Sequence, residues 1–344
     1  MKKIIRVLPL LALFTLAGCS NSSVNVKPKN GTKVEAQEVY EALQATVETL
    51  NQQNAISTTV KKLVVDIQTK EQEIQEDKTL KLATDINIKA KNGVLTAAVT
   101  GLKNEEEKAI GSAELKADVT VKGKATNEKT NELVDVNVSG KADVKAYVSE
   151  GNLYANIDEK TGKIVDDVAV AVSGDKVGVE WPAKYYFALG VDLKEFKIDY
   201  DLDDIMAEYN AMSDEEKADF LFQKYSETSY SIYAKHVENK EDKDGDYLEG
   251  TTALTVEASV EFDTKKGITR AAFTLSNSET DTVYSELSDE EGFDASAYEA
   301  SFLNQTIEQT TIKAQGEASF KYGSDVKVSL PDDLNTYLPF DLFK

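Results

Sequence analysis

The 344-residue sequence predicts an α+β fold, in which a long curved antiparallel β-sheet, a meander or half-barrel, carries an N-terminal helix and a mid-chain helical pair. Many segments alternate apolar and polar residues and end in turn residues, as antiparallel strands with one buried face do. Two other segments show helical spacing instead. The sequence lacks the regular alternation of strands and helices that would indicate a parallel sheet. The helices are therefore expected to lie on an antiparallel sheet.

The first predicted element of the folded body is a helix. Thr32 and Glu35 have the spacing of a capping box. Val39, Leu43 and Val47 then recur at helical intervals in a segment without proline or glycine. We expect this helix to pack one face on the sheet.

Strand patterns follow on both sides of the middle of the chain. The clearest hairpin runs from Ala146 to Ile157, where two alternating arms flank Glu150-Gly151. Inward positions are mostly alanine, valine and threonine, so the sheet face needs a covering layer. Further strands are predicted over residues 80–88, 115–121, 134–148, 226–237, 247–262, 267–275 and 305–322.

Between the two groups of strands lies the predicted helical pair. The first helix covers Asp203 to Met212, and a second capping box, Ser213 with Glu216, begins a helix that continues through Tyr225. The apolar face of this second helix is expected to consist of Phe220, Leu221, Phe222 and Tyr225.

The N-terminus has the layout of a bacterial secretory signal. A positive segment precedes an apolar stretch from Val7 to Leu16, which is shorter than the ~20 residues a membrane-spanning helix needs. The following Ala17-Gly18-Cys19 completes a tetrad that resembles the bacterial lipobox. That resemblance implies cleavage between Gly18 and Cys19 and attachment of acyl chains, including palmitate, to Cys19.

These features divide the chain into three parts. Residues 1–18 are the predicted cleaved lipoprotein signal peptide, and residues 19–32 are the lipidated N-terminus and a flexible tether. Residues 33–344 are a single α+β domain, with a subdivision near residue 199 as the alternative.

Composition excludes several classes of function. The formal net charge is −22, and loss of Lys2, Lys3 and Arg6 with the signal makes it more negative by three. Such a charge argues against nucleic acid as a partner and against direct electrostatic docking on anionic lipid. With Cys19 as the sole cysteine and His236 as the sole histidine, the sequence predicts no thiolate or multi-histidine metal site and no catalytic dyad.

No cofactor and no enzyme activity are predicted. The run Asp242-Lys243-Asp244-Gly245-Asp246 lacks the acids that an EF-hand needs at its first and twelfth loop positions, so it is interpreted as a charged hairpin tip. Aromatic and apolar residues mark the candidate ligand site. They either line an apolar cavity or fill the core, and they are Trp181, Tyr186, Phe220, Leu221 and Phe222.

The tyrosine hairpin, the N-terminal helix before long meandering strands, the mid-chain helices and the closing Val328-Ser329-Leu330-Pro331-Asp332 resemble the LolA/LppX-like carrier lipoproteins of Gram-positive bacteria. The resemblance implies a strongly curved antiparallel sheet around helices, with an acyl chain or lipoprotein lipid bound in an apolar interior. It transfers no ligand-binding residue.

Together these observations favour a lipoprotein on the outer face of the cytoplasmic membrane, at the surface of a Gram-positive cell. Its expected role is non-catalytic binding of a lipid or another apolar or amphiphilic ligand. A surface module that recognises protein or glycan is the alternative, and a glycoside or other hydrolase is a more distant one. The oligomeric state is left open.

Overall fold

The computed structural model describes residues 24–74, 80–130, 132–190, 192–195, 197–198, 202–244, 248–285 and 304–339. The described strands form one curved open sheet, which confirms the predicted antiparallel architecture. Every neighbouring pair is antiparallel except β7 and β13. The strands are Thr32–Lys33 (β1), Ile56–Ile74 (β2), Leu80–Thr100 (β3), Ile110–Thr126 (β4), Leu133–Ser149 (β5), Asn152–Ile157 (β6), Ala183–Ala188 (β7), Phe220–Lys224 (β8), Ser229–Asp244 (β9), Leu248–Asp263 (β10), Gly267–Ser285 (β11), Asn304–Tyr322 (β12) and Leu338–Pro339 (β13).

The strand order is β1-β8-β9-β10-β11-β12-β2-β3-β4-β5-β6-β7-β13. Because β12 pairs with β2 along its length, strands from both sides of residue 199 belong to the same sheet. The predicted hairpin is β5–β6, in which Ser149 pairs with Asn152.

Four helices are described: Ala36–Asn51 (α1), Glu159–Ser173 (α2), Leu202–Asn210 (α3) and Asp214–Lys217 (α4). The capping box expected at the start of α1 does not form, because Thr32 belongs to β1 and Glu35 makes no side-chain capping bond. The box at α4 does form. Ser213 Oγ accepts a hydrogen bond from the Glu216 amide (3.2 Å), and the Glu216 carboxylate accepts one from the Ser213 amide (2.7 Å).

The predicted continuation of the second mid-chain helix through Tyr225 is wrong. Residues Phe220–Lys224 form strand β8 and pair with β9, with Phe220 opposite Ala234 and Phe222 opposite Ile232. The physical reason is the period of the apolar residues. Phe220 and Phe222 lie on one face and Leu221 on the other, which suits a strand buried on both faces rather than a helix.

Helix α2 is an element that the sequence analysis does not predict. The Asp158 side chain caps its first turn by accepting a hydrogen bond from the Thr161 amide at 2.8 Å. Gly174 ends it in the left-handed conformation, with φ of 81°. These two signals bracket an apolar repeat that includes Val168 and Val172, both of which pack on the sheet.

A row of paired apolar residues crosses one face of the sheet. It runs in register from Phe222 to Ala183 through Ile232, Val260, Ala271, Ala318, Val60, Leu95, Leu115, Val144 and Ile157. Helix α1 packs on the part of this face formed by β8 to β11. Helix α2 packs near Val121 of β4, six residues from Leu115 and therefore on the same face. We call this side of the sheet the helix face.

Residues 24–31 lie along the other side of the sheet, which we call the opposite face. Val24 and Val26, 8% and 4% exposed, pack against Tyr233 and Ala272 there. The carbonyl of Asn25 accepts a hydrogen bond from Arg270 at 2.6 Å. The expected flexible tether over residues 19–32 therefore does not hold for its described part. Its alternating valines, Val24 and Val26, give it an apolar side that the sheet buries. We call residues 24–31 the strap.

Candidate functional site

The aromatic residues of β8 belong to the core beneath α1. Tyr209 of α3 contacts Phe220 and Phe222 at ring-centroid distances of 5.5 and 5.3 Å. Tyr40 of α1 lies 5.8 Å from Phe222, and burial raises the pKa of its phenol well above the ordinary value. These rings fill the space between helix and sheet.

Leu221 lies on the opposite face. It packs beside Tyr233 and the strap residues Val24 and Val26. It is thus separated by the thickness of the sheet from its sequence neighbours Phe220 and Phe222.

Trp181 lies against helix α2. A Cβ added at Gly162 would come within 2.0 Å of the indole ring, so the ring rests directly on the helix backbone. The indole nitrogen donates a hydrogen bond to the buried carboxylate of Asp166 at 3.2 Å. Asp166 also accepts from the Val177 amide at 3.3 Å, which ties the loop after α2 to the helix.

Tyr186 belongs to a tyrosine row on the opposite face. Tyr147, Tyr154 and Tyr186 are paired across β5, β6 and β7, and the rings of Tyr154 and Tyr186 are 6.0 Å apart. The buried Tyr337 covers the row from the C-terminal side, with its ring edge-on to Tyr154 at 5.6 Å.

The five residues predicted as one apolar cluster therefore occupy four places. Phe220 and Phe222 are under α1, Leu221 is beneath the strap, Trp181 is on α2, and Tyr186 is in the tyrosine row. Gly18 and Cys19 lie outside the described residues.

The helix face carries an apolar area that lies between the two helices. Two adjacent cross-strand rows form it on β10, β11, β12, β2 and β3. One row is Val256, Leu275, Ala314, Val65 and Ala90, and the next is Leu254, Asn277, Ile312, Ile67 and Ile88. We call these ten residues, nine apolar side chains and Asn277, the apolar patch.

The patch is accessible to solvent within the described structure. Its side chains are half-buried, and Ile88 is 39% exposed. Only Ala314 touches the core cluster under α1. The alternation along these strands was visible in the sequence, but it did not reveal which strands the helices leave uncovered.

The two ends of the patch differ in polarity. On β9, His236 pairs with Val256 and Glu238 pairs with Leu254, which places both at one end of the rows. His236 Nε2 lies 3.5 Å from the Glu238 carboxylate. At the other end, Ile88 pairs with Val121, which belongs to the cluster beneath α2. The patch is thus an apolar strip with one polar end and one end leading under a helix.

Neither a metal centre nor a membrane-spanning helix is found in the described part of the chain. No three His, Cys, Asp or Glu side chains there are arranged to hold a metal ion. No helix of that part is long and apolar enough to cross a membrane. The run Asp242–Asp246 lies only partly in the described residues, at the connection where Asp244 pairs with Leu248.

No protein-family model matches the chain, and no curated protein matches it. Among solved structures, the InvG secretin domain beta-barrel of the Salmonella SPI-1 injectisome is 6% identical, with a TM-score of 0.18 over 88% of this chain and 72% of its own. The outer membrane protease OmpT from Escherichia coli is 8% identical, with a TM-score of 0.17 over 78% and 97%. A Pseudomonas aeruginosa FadL homologue is 5% identical, with a TM-score of 0.18 over 89% and 99%. Such low scores carry no conclusion about fold or function.

Proposed function

We propose that the protein is a lipoprotein, anchored through Cys19 on the outer face of the cytoplasmic membrane, that binds an amphiphilic lipid-like ligand without catalysis. The observation that carries the proposed binding role is the apolar patch. A contiguous apolar patch on a protein surface is often a binding site, because exposing apolar side chains to water costs free energy.

The shape of the patch favours an acyl chain over a protein partner. Five strands at a spacing of about 4.8 Å span roughly 19 Å, and the two rows are about 7 Å apart along the strands. An area of a few hundred Å² is too small for a stable protein interface, which needs about 800 Å² from each partner. A strip of this size matches one or two extended hydrocarbon chains.

The ends of the patch favour an amphiphile over a purely apolar molecule. His236 and Glu238 offer hydrogen-bonding groups at one end, where a polar head would lie. A tail would then run along Leu275 and Ile312 toward α2. Each methylene removed from water would contribute about 0.8 kcal/mol.

The test compares two matched double variants in the mature chain with Cys19→Ser. Ile67 and Ile312 face each other on the patch, while Gln68 and Thr311 face each other one residue away on the opposite face. We expect Ile67→Ser/Ile312→Ser to weaken binding of a fluorescent long-chain fatty acid by about 10- to 100-fold, because the acyl chain would then lie on two polar side chains. Gln68→Ser/Thr311→Ser should bind normally.

Native mass spectrometry of the same proteins gives a second measurement. Co-purifying lipid in the control and its loss from the patch variant would support carriage. Equal binding by both variants would overturn the proposal. So would a concentration-dependent dimer that only the patch variant fails to form, because the patch would then bind a second copy of the chain.

A further inference from the structure

The strap fixes which side of the body is near the lipid anchor. Val24 is buried against Ala272 on the opposite face, and Arg270 holds the adjacent carbonyl of Asn25. Val24 is the fifth residue after Cys19, and a fully extended chain covers at most about 3.4 Å per residue. Chain length alone therefore limits an anchor at Cys19 to within roughly 17 Å of a fixed point on the opposite face.

The opposite face of β12 and β2 to β5 is rich in lysine. Among the described side chains on these strands, alternation and register place twelve lysines there against seven carboxylates. The formal charge of this surface is thus +5, in a chain whose formal net charge is −22. We call this surface the lysine face.

Most carboxylates of the lysine face are already engaged. Asp66 pairs with Lys89 at 3.1 Å, and Glu114 pairs with Lys116 at 2.8 Å. Glu317 accepts hydrogen bonds from Arg270, and although burial raises the pKa of this carboxyl, the bonds outweigh it and hold the pKa below its ordinary value.

Several lysines of the same face point outward without such partners. Lys61, Lys313 and Lys321 are exposed and make no ion pair within the described residues. Lys321 is two residues from Ser319, which pairs with Arg270 at the end of the strap. The free positive charge therefore begins where the strap ends.

We infer that the lysine face docks on the anionic lipid headgroups of the membrane in which Cys19 is anchored. The inference rests on the anchor of the proposed function, and it goes beyond it by naming the surface that meets the bilayer. Lysines near an anionic bilayer each strengthen binding, and one acyl anchor combined with a basic patch is a stable pair of membrane signals. Such docking departs from the expectation drawn from the net charge alone, because the lysines are concentrated on one face and charges farther than about 10 Å are screened at 0.1 M salt.

The test uses the mature chain with Cys19→Ser, so that binding does not depend on lipidation. Co-sedimentation is measured with vesicles of phosphatidylglycerol and phosphatidylcholine and with vesicles of phosphatidylcholine alone. We expect preference for the anionic vesicles at about 0.1 M salt, where the overall negative charge is screened, and loss of binding at about 1 M salt. Lys61→Gln/Lys313→Gln/Lys321→Gln should weaken partitioning by roughly 100-fold.

A matched triple variant removes the same charge elsewhere. Lys103, Lys197 and Lys327 are exposed and lie outside the strands of the lysine face. Their exchange for glutamine should leave most of the binding intact. Equal loss in the two triple variants would overturn the inference, because only diffuse charge would then act. Absence of any anionic preference would overturn it too, as would binding of soluble polyphosphate without binding of vesicles.

Orientation gives a readout that does not depend on affinity. Trp181, the only tryptophan, packs on α2 at the helix face and should not be quenched by brominated lipid in bound protein. Ser319 is exposed on the lysine face, so Ser319→Trp in a Trp181→Phe background should be quenched. The reverse pattern would place the helix face on the membrane and contradict the inference. Failure of fatty acid binding at the patch would leave these results unaffected.

Discussion

Substituting Val26→Asp should release the strap while leaving the body folded. Val26 is 4% exposed, and its burial contributes about 1.5 kcal/mol. An aspartate in its place would have to lose its hydration beside Tyr233 and Ala272, which costs further free energy. The docked strap is therefore destabilised by at least about 3 kcal/mol, and its undocked population rises more than about 100-fold.

The rate of cleavage by trypsin measures the population in which the strap is undocked. In the docked strap the carbonyl of Lys29 accepts a hydrogen bond from the Tyr225 hydroxyl at 3.1 Å, which holds the backbone at the cleavable Lys29-Asn30 bond. Where opening is fast relative to cleavage, the cleavage rate follows the undocked population. We expect Val26→Asp to be cut after Lys29 more than about 100-fold faster than the parent, up to the rate for an open chain.

The matched control is Asn25→Asp, which adds the same charge at the exposed neighbouring position. It keeps the backbone carbonyl that Arg270 binds, so its cleavage rate should stay close to that of the parent. Cleavage sites in the sheet should be cut equally slowly in all three proteins. If the parent is cut after Lys29 as fast as Val26→Asp, the strap is not docked and the reasoning fails.

Three further predictions follow from other contacts. Gly162→Ala should displace the Trp181 ring, shift its fluorescence to longer wavelength and lower the melting temperature by several degrees, whereas an unchanged spectrum would contradict the close approach. The contact between Arg270 and Glu317 should weaken in acid, because the lowered pKa of Glu317 gives stability that is present above its unfolded pKa of about 4.3 and lost as the pH falls through the folded value. Sensitivity of the strap to the acid-active protease pepsin that stays flat as the pH falls below about 4 would argue against it. Cys19→Ala should move the processed protein from the membrane fraction to the soluble fraction at high salt. Retention of the processed variant in the membrane fraction would exclude the anchor.

The strands of the sheet can be predicted well from the sequence, because alternation of apolar and polar residues with period two is a strong and local signal. It locates the hairpin around Glu150-Gly151 for the same reason. At Phe220–Lys224 it fails because a capping box immediately upstream suggests a longer helix, whereas α4 ends at Lys217. Local capping chemistry marks where a helix begins, but contacts with β9 decide how soon the chain leaves it.

The candidate site was harder to predict because it depends on which strands the helices cover rather than on the composition of the strands. Trp181 and Phe222 attract attention as large aromatic residues, and both have packing partners. The apolar patch consists of ordinary strand residues such as Ile67 and Leu275, which resemble core residues in the sequence. Only the positions of α1 and α2 on the sheet reveal that, within the described residues, no helix covers the strands between them.

The two proposed surfaces follow from one property of the long strands. Because side chains alternate between faces, Ile67 and Ile312 point to the helix face while Asp66 and Lys313 point away from it. The same strands therefore provide an apolar patch on one side and a lysine face on the other. With the strap on the opposite face and the proposed anchor next to it, docking through the lysine face would direct the patch away from the bilayer. In that arrangement a bound amphiphile is presented outward, so its exchange partner is expected in the surrounding envelope rather than in the supporting membrane.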